Sequence, residues 1–190
     1  MYRLLNVNDF SKTEYDKFFL AMAEDKKEKI SRFRFEEDKK RSILGDMLAR
    51  EMIAKQCNVS PDSVVFKTNE NGKPYAEGFD IHFNISHSGD YVICAVSESE
   101  IGVDIEKIKE VKDGLTEYIC TEEEKNYIAS SKDKEEKQRR FFEIWTAKEA
   151  YFKFLGTGLG DLKSINSLDE EFKMHLKTFS HENYIISIYK

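Results

Sequence analysis

Apolar and polar residues alternate without a break over Ile101-Gly102-Val103-Asp104-Ile105-Glu106. A period of two marks a strand with one buried face. Ile101, Val103 and Ile105 fall on one side, and Gly102, Asp104 and Glu106 on the other. Apolar runs at 81–86 and 91–97 precede it, separated by Ser88-Gly89-Asp90 and Glu98-Ser99-Glu100, so the three predict an antiparallel meander. Residues 2–7, 64–67 and 185–189 read as further short extended segments, and 69–74 carry turn chemistry. Elsewhere the helical period takes over. Ser11 with Glu14 forms a capping box opening a helix over 11–19, and Thr121 with Glu124 repeats it before 121–130. A helix is expected over 25–35, and another over 36–56 with Ile43, Leu44, Met47, Leu48, Met52 and Ile53 at core spacing. A long, mostly apolar helix spans 137–155 and stops at Gly156. The pattern is α+β.

Within that last helix Trp145, Glu149 and Lys153 share one stripe at i, i+4 and i+8. Asp104 and Glu106 lie about 7 Å apart along one strand face, and such carboxylates repel unless a cation sits between them. Gly102 leaves open space on that face. Three acids and a lysine suit a hard cation gripping an anionic phosphate, with magnesium the natural ion. The plainer reading is two outward-facing strand acids and a solvated Glu149–Lys153 pair contributing about 0.2–0.5 kcal/mol. Against it stand Phe141, Phe142, Ile144, Ala147, Ala150, Tyr151, Phe152, Phe154 and Leu155, which surround the stripe. A helix this apolar is mostly buried, and charges within it need partners.

With 190 residues, the chain builds one substantial core or two small halves, and 40% hydrophobic with 13% aromatic content implies a folded protein. Cys57, Cys94 and Cys120 are odd in number and form no CxxC pair, which excludes a disulfide framework and points to a reducing compartment. No leader pattern and no apolar run of about 20 residues is present, so a cytoplasmic protein with no membrane partner is expected. A net charge of −6 excludes general nucleic-acid binding. Residues 26–41 nevertheless hold eight basic against four acidic side chains, either a receptor for a multiply charged small anion or acidic protein, or a solvated helix face. Gly156-Thr157-Gly158-Leu159-Gly160 follows a helix instead of joining a strand to one, so it fails as a dinucleotide fingerprint and reads as helix termination and a turn. His87 has no triad partners in the sequence, and a hydrolase triad is rejected.

The segments Gly102-Val103-Asp104-Ile105-Glu106 and Trp145-Thr146-Ala147-Lys148-Glu149-Ala150-Tyr151-Phe152-Lys153 resemble the signatures of the Sfp-type 4′-phosphopantetheinyl transferases, in order and intact. Gly72-Lys73-Pro74, Phe83-Asn84-Ile85-Ser86-His87-Ser88-Gly89 and Arg41-Ser42-Ile43-Leu44-Gly45-Asp46 extend the resemblance over about 26–158. It implies two similar α+β halves, 1–101 and 102–190, related by a pseudo-twofold axis with the active site in the cleft between them. It implies magnesium held by Asp104, Glu106 and Glu149, with Glu149 and Lys153 catalytic. Coenzyme A would meet Lys26, Lys29, Arg41, Gly72, Lys73, Pro74, Ser86, His87 and Lys153. The implied reaction moves the 4′-phosphopantetheine arm of coenzyme A to a serine of an apo acyl or peptidyl carrier protein. That partner would dock on 111–131, with Leu115, Tyr118 and Ile119 as apolar contacts. Because both halves are in one chain, a monomer is expected. The competing readings are a magnesium-dependent hydrolase of coenzyme A or another nucleotide, and a non-catalytic carrier-protein binder.

Overall fold

The computed structural model describes the whole chain, Met1–Lys190. In chain order the elements are β1 (Tyr2–Asn6), α1 (Lys12–Leu20), α2 (Glu24–Ser31), α3 (Glu36–Cys57), β2 (Phe66–Thr68), β3 (Pro74–Ala76), β4 (His82–Ser88), β5 (Tyr91–Ser97), β6 (Gly102–Lys107), α4 (Leu115–Ile119), α5 (Glu122–Ala129), α6 (Lys134–Leu155), α7 (Glu170–Met174), β7 (Leu176–His181) and β8 (Tyr184–Tyr189). Two antiparallel three-stranded sheets have the orders β1-β5-β4 and β6-β8-β7, and β2-β3 form a separate hairpin. This is the α+β architecture expected.

Alternation along the central strands sorts side chains between layers. On β5, Cys94 and Val96 join Leu48, Ala49, Met52 and Ile53 of α3, while Tyr91, Ile93 and Ala95 meet Val103, Ile105, Ile186 and Ile188. On β8, Ile185 packs with Phe141, Phe142, Ile144 and Phe152 of α6. The sheets therefore lie face to face, with the two 22-residue helices α3 and α6 on the outside. Both capping boxes form as the sequence predicts, and Gly156 ends α6 at φ +68°, a left-handed conformation that glycine adopts without a Cβ penalty. Helix α2 stops earlier than expected, where Phe33 turns in beside Ile30 and Ile43.

The expected three-strand meander is corrected at its last member. Strands β4 and β5 pair in full register, but β6 pairs with β8 and not with β5. The outer edge of β6 is instead covered by side chains of β4. The Val103 N–H donates to Asn84 Oδ1 (2.9 Å), the Ile105 N–H to Ser86 Oγ (3.4 Å) and the Lys107 N–H to Ser88 Oγ (3.1 Å). Side-chain oxygens at a period of two thus satisfy an edge that would otherwise expose its donors.

Strand β6 is also buried on both faces over Gly102–Ile105, not half-buried as its alternation suggested. Gly102 leaves no open space, because a Cβ there would collide with the Ala150 carbonyl and the Phe154 amide nitrogen of α6. The absence of a side chain lets the helix lie directly on the strand and brings Glu149 and Lys153 beside Asp104. Since both obstructing atoms are backbone, Gly102→Ala must push α6 away. We expect a loss of at least about 1–3 kcal/mol in urea unfolding. Wild-type stability in that variant would show that the helix does not seat as described.

Candidate active site

Asp104, 3% exposed, is the centre of the site. Its Oδ1 accepts from the Ser86 hydroxyl at 2.7 Å and from the Lys153 ammonium at 2.6 Å, while its Oδ2 is buried with no hydrogen-bond partner. Lys153 also donates to Ser86 Oγ at 3.0 Å. One β-carboxylate oxygen is clamped and the other is left free. Two residues along β6, half-buried Glu106 accepts from Ser88 Oγ at 2.7 Å. Beside them opens a cleft of about 300 Å³, lined by Asn71, Gly72, Lys73, Pro74, Asn84, Glu149, Phe152, Lys153, Gly156, Gly158 and Leu159.

The remaining residues singled out in the sequence fall into three groups. Lys73 stands on the cleft wall after the 69–73 turn, which Gly72 closes at φ +83°. Its ammonium donates to the Phe154 carbonyl at 3.0 Å and pairs with Glu100 at 2.6 Å, so it also satisfies the C-terminal end of α6. Arg41 donates to the Gly89 carbonyl at 2.8 Å, at the β4–β5 turn. His87 is exposed, yet protein packed around its ring, with the Arg41 and Lys153 charges nearby, holds it below the usual histidine range. A basic rim thus runs from Lys153 through His87 to Arg41. Lys26, by contrast, is half-buried near Asp46 and Arg50, with burial holding its ammonium below its ordinary value, and Lys29 lies exposed close by. A larger depression of about 620 Å³ on that side, between α1 and α3, takes in Ile43 and Asp46 of the 41–46 segment but neither Lys153 nor any of the three signature acids.

Burial first, and the neighbouring Asp104 carboxylate second, push Glu149 up to about 7, with Lys153 pulling the other way and Glu106 adding a smaller push. The three signature acids therefore feel one another across β6 and α6. No group of three or more ligating side chains is gathered as a ready metal site. The donor set nonetheless fits a hard divalent cation: carboxylate oxygens only, one of them orphaned and buried, and a second carboxylate whose charge burial disfavours and a cation would stabilise.

This gives a stability consequence with a definite sign. An unfolded Glu149 ionises near its ordinary 4.5, whereas the folded one holds its proton to about 7. Between those values the folded state binds the extra proton, so its stability falls as pH rises and stays reduced above about 7. With chelator present, Glu149→Gln should be more stable than wild type at pH 8 by about 1–3 kcal/mol, a figure discounted for partial exposure. The advantage should vanish below about pH 4.5, as read by urea unfolding. An equal difference at both pH values would mean that Glu149 does not titrate where this environment places it.

One expectation needs correction, one segment gains a second role, and one residue has a role that the sequence reading leaves out. Ile119 is completely buried in the α6 core, so it presents nothing to a partner, whereas Tyr118 is 74% exposed and Leu115 half-buried. The glycine segment 156–160 does terminate α6, yet Gly156 and Gly158 also form cleft wall, which only the tertiary fold reveals. Lys148, inside the signature, received no role from its sequence. It is fully buried with Glu124, to which its ammonium donates at 2.5 Å, and it donates to the Ile119 and Leu162 carbonyls at 2.9 Å each. The signal was available: Phe141, Ile144, Lys148 and Phe152 share one helix face, and a lysine in the middle of an apolar stripe needs a buried partner.

Residues 100–187 match the family model described as the 4'-phosphopantetheinyl transferase superfamily, and residues 9–99 match that of the 4'-phosphopantetheinyl transferase N-terminal region. The chain is 38% identical over 138 residues to the 4'-phosphopantetheinyl transferase gsp of Aneurinibacillus migulanus, covering 73% of this chain and 57% of the relative. Against the 4'-phosphopantetheinyl transferase Sfp of Bacillus subtilis (strain 168) it is 38% identical over 150 residues, covering 78% and 66%. Against psf-1 of Bacillus pumilus it is 34% identical over 161 residues, covering 83% and 69%. The chain therefore belongs to the 4'-phosphopantetheinyl transferase family, while its alignments with gsp and Sfp span 57% and 66% of those relatives' lengths. No helix is long and apolar enough to cross a membrane.

Proposed function

We propose that this protein transfers the 4′-phosphopantetheine arm of coenzyme A to a serine of an apo acyl or peptidyl carrier protein. What carries the reading is the Asp104 carboxylate, clamped through one oxygen by Ser86 and Lys153 and orphaned at the other, behind a cleft walled by Lys73, Glu149 and Lys153. The serine hydroxyl attacks the β-phosphorus of the pyrophosphate, the bond to the α-phosphate oxygen breaks, and 3′,5′-ADP leaves. Glu149, on the cleft wall, takes the hydroxyl proton directly or through a water. Lys153 moves from Asp104 toward the phosphates and stabilises the charge that develops there. Arg41 and His87 receive a phosphate at the basic rim, His87 as a neutral N–H donor, with Lys26 and Lys29 further out.

Asp104, Glu106 and Glu149 would hold magnesium, which when bound neutralises pyrophosphate charge. In this reading the halves are 1–101 and 102–190, related by a pseudo-twofold axis and meeting at the β4–β6 seam, and one chain is the working unit. The carrier docks near Tyr118 and Leu115 and not through Ile119.

The test is to incubate the protein with magnesium, coenzyme A and an apo carrier, then measure the carrier's mass. A carrier gaining one phosphopantetheine on its serine is the expected result. Nucleotide cleavage beside an unmodified carrier would identify a hydrolase, and carrier binding without either product would identify a binder.

A further inference from the structure

We propose that Ser86 and Ser88 of β4 are positioning residues that set the two β6 carboxylates for the cation, a role that rests on the transferase reading and assigns its metal shell. The same unit occurs twice. Ser86 Oγ accepts the Ile105 N–H at 3.4 Å and donates to Asp104 Oδ1 at 2.7 Å. Ser88 Oγ accepts the Lys107 N–H at 3.1 Å and donates to Glu106 Oε2 at 2.7 Å. Each hydroxyl thus grips one residue's carboxylate and the next residue's amide, so the carboxyl group is fixed against the strand that carries it.

The third rung shows what the pattern is for. Asn84 Oδ1 accepts the Val103 N–H at 2.9 Å, but the residue before Val103 is Gly102, which has no carboxylate to hold. An acceptor without a hydroxyl suffices there. Where the preceding residue is an acid, β4 supplies a hydroxyl, the side chain that both accepts and donates. Edge coverage alone would not require that choice.

Ser86 is saturated. Its one proton goes to Asp104, and its two lone pairs receive the Ile105 amide and Lys153. It has no proton left for a coenzyme A phosphate, so its contribution runs through Asp104. Holding Oδ1 by Ser86 and Lys153 is what leaves the buried Oδ2 as the unpartnered atom. Hydrogen bonds of this kind, which orient ligating carboxylates from outside the coordination sphere, typically change metal affinity 10–100-fold.

The experiment titrates wild type, Ser88→Ala, Ser88→Thr and Ser86→Ala with Mn2+ in the presence of coenzyme A, following free Mn2+ by electron paramagnetic resonance. Ser88→Ala should bind Mn2+ about 10–100-fold more weakly, with Ser88→Thr, which keeps the hydroxyl, restored to within about threefold of wild type. The magnesium concentration giving half-maximal carrier modification should rise by the same factor in Ser88→Ala, with kcat at saturating magnesium unchanged. Ser86→Ala, which also frees Lys153, should lose both affinity and kcat. Metal-free melting of Ser88→Ala should match wild type, because the amide it releases is solvent-exposed. Unaltered Mn2+ affinity in Ser88→Ala, or a loss that Ser88→Thr shares, overturns the positioning role while leaving the transfer reading standing. A wild type that neither binds Mn2+ nor modifies a carrier overturns the transfer reading itself.

Discussion

Asp104→Ala is expected to lower carrier modification by about 10²–10³-fold, the range seen when a single preorganised charge stabiliser is removed, while leaving the fold intact. The two effects separate because Asp104 is arranged for a ligand rather than for stability. A carboxylate buried to 3% exposure with one oxygen unpartnered carries a desolvation cost that the free protein does not recover. Removing it relieves that cost. Its partners tolerate the loss: the Lys153 side chain is 29% exposed and can turn to water, and Ser86 keeps the Ile105 amide. Urea unfolding of Asp104→Ala should therefore show stability equal to or above wild type. The reverse substitution on the pair, Lys153→Ala, leaves the buried acid without its cation and should destabilise measurably. Full turnover in Asp104→Ala at ordinary magnesium would end the assignment of Asp104 to the cation. A stability loss beyond about 3 kcal/mol would recast it as a structural ion-pair member.

Local chemistry made much of this molecule legible. Ser11–Glu14 and Thr121–Glu124 announce their helices because a capping box is complete within four residues, and Gly156 ends α6 for an equally local reason. The strand β5 matches the expected 91–97 segment at both ends. What alternation along one strand does not contain is the identity of its neighbours. Alternation makes β6 half-buried and third in a meander, but it is doubly covered and paired with β8, because α6 and β8 arrive from distant parts of the sequence. Gly102 reads as space from sequence and is a contact in the fold, since a missing Cβ looks the same in either case. The segment around Ser86 resembles one that meets phosphate, and only the fold shows that its hydroxyl also donates to Asp104. The resemblance of 111–131 to a carrier-contacting region puts Ile119 on the surface, but its side chain closes the α6 core.

Lys148→Met is expected to cost about 3–5 kcal/mol, the range for breaking a buried ion pair from one side, which corresponds to a melting-temperature drop of roughly 6–20 °C for a chain of this size. Few residues here are so fully committed. The Lys148 ammonium uses all three donors, on Glu124 Oε2, the Ile119 carbonyl and the Leu162 carbonyl. Glu124 is equally occupied: Oε2 also accepts the Thr121 amide at 2.8 Å, and Oε1 accepts the Ser167 amide and hydroxyl at 2.7 Å each. Methionine fills most of the volume but leaves Glu124 in a dry core without its counter-charge, and two carbonyls without donors. Glu124→Gln breaks the same pair from the other side and should cost a comparable amount, since it strands a buried ammonium. The double variant Lys148→Met with Glu124→Leu removes both charges and should recover most of the loss, short of about 1 kcal/mol for the capping contact that Glu124 also supplies. Because Lys148 adjoins Glu149 on α6 and ties that helix to α5 and the 162–167 segment, the double variant asks a further question. Restored stability with activity still depressed would mean that the pair sets the angle at which α6 delivers Glu149 and Lys153 to Asp104. Restored stability with restored activity would confine it to the core, and a single-variant loss below about 1 kcal/mol would remove the pair from any account of what holds the site together.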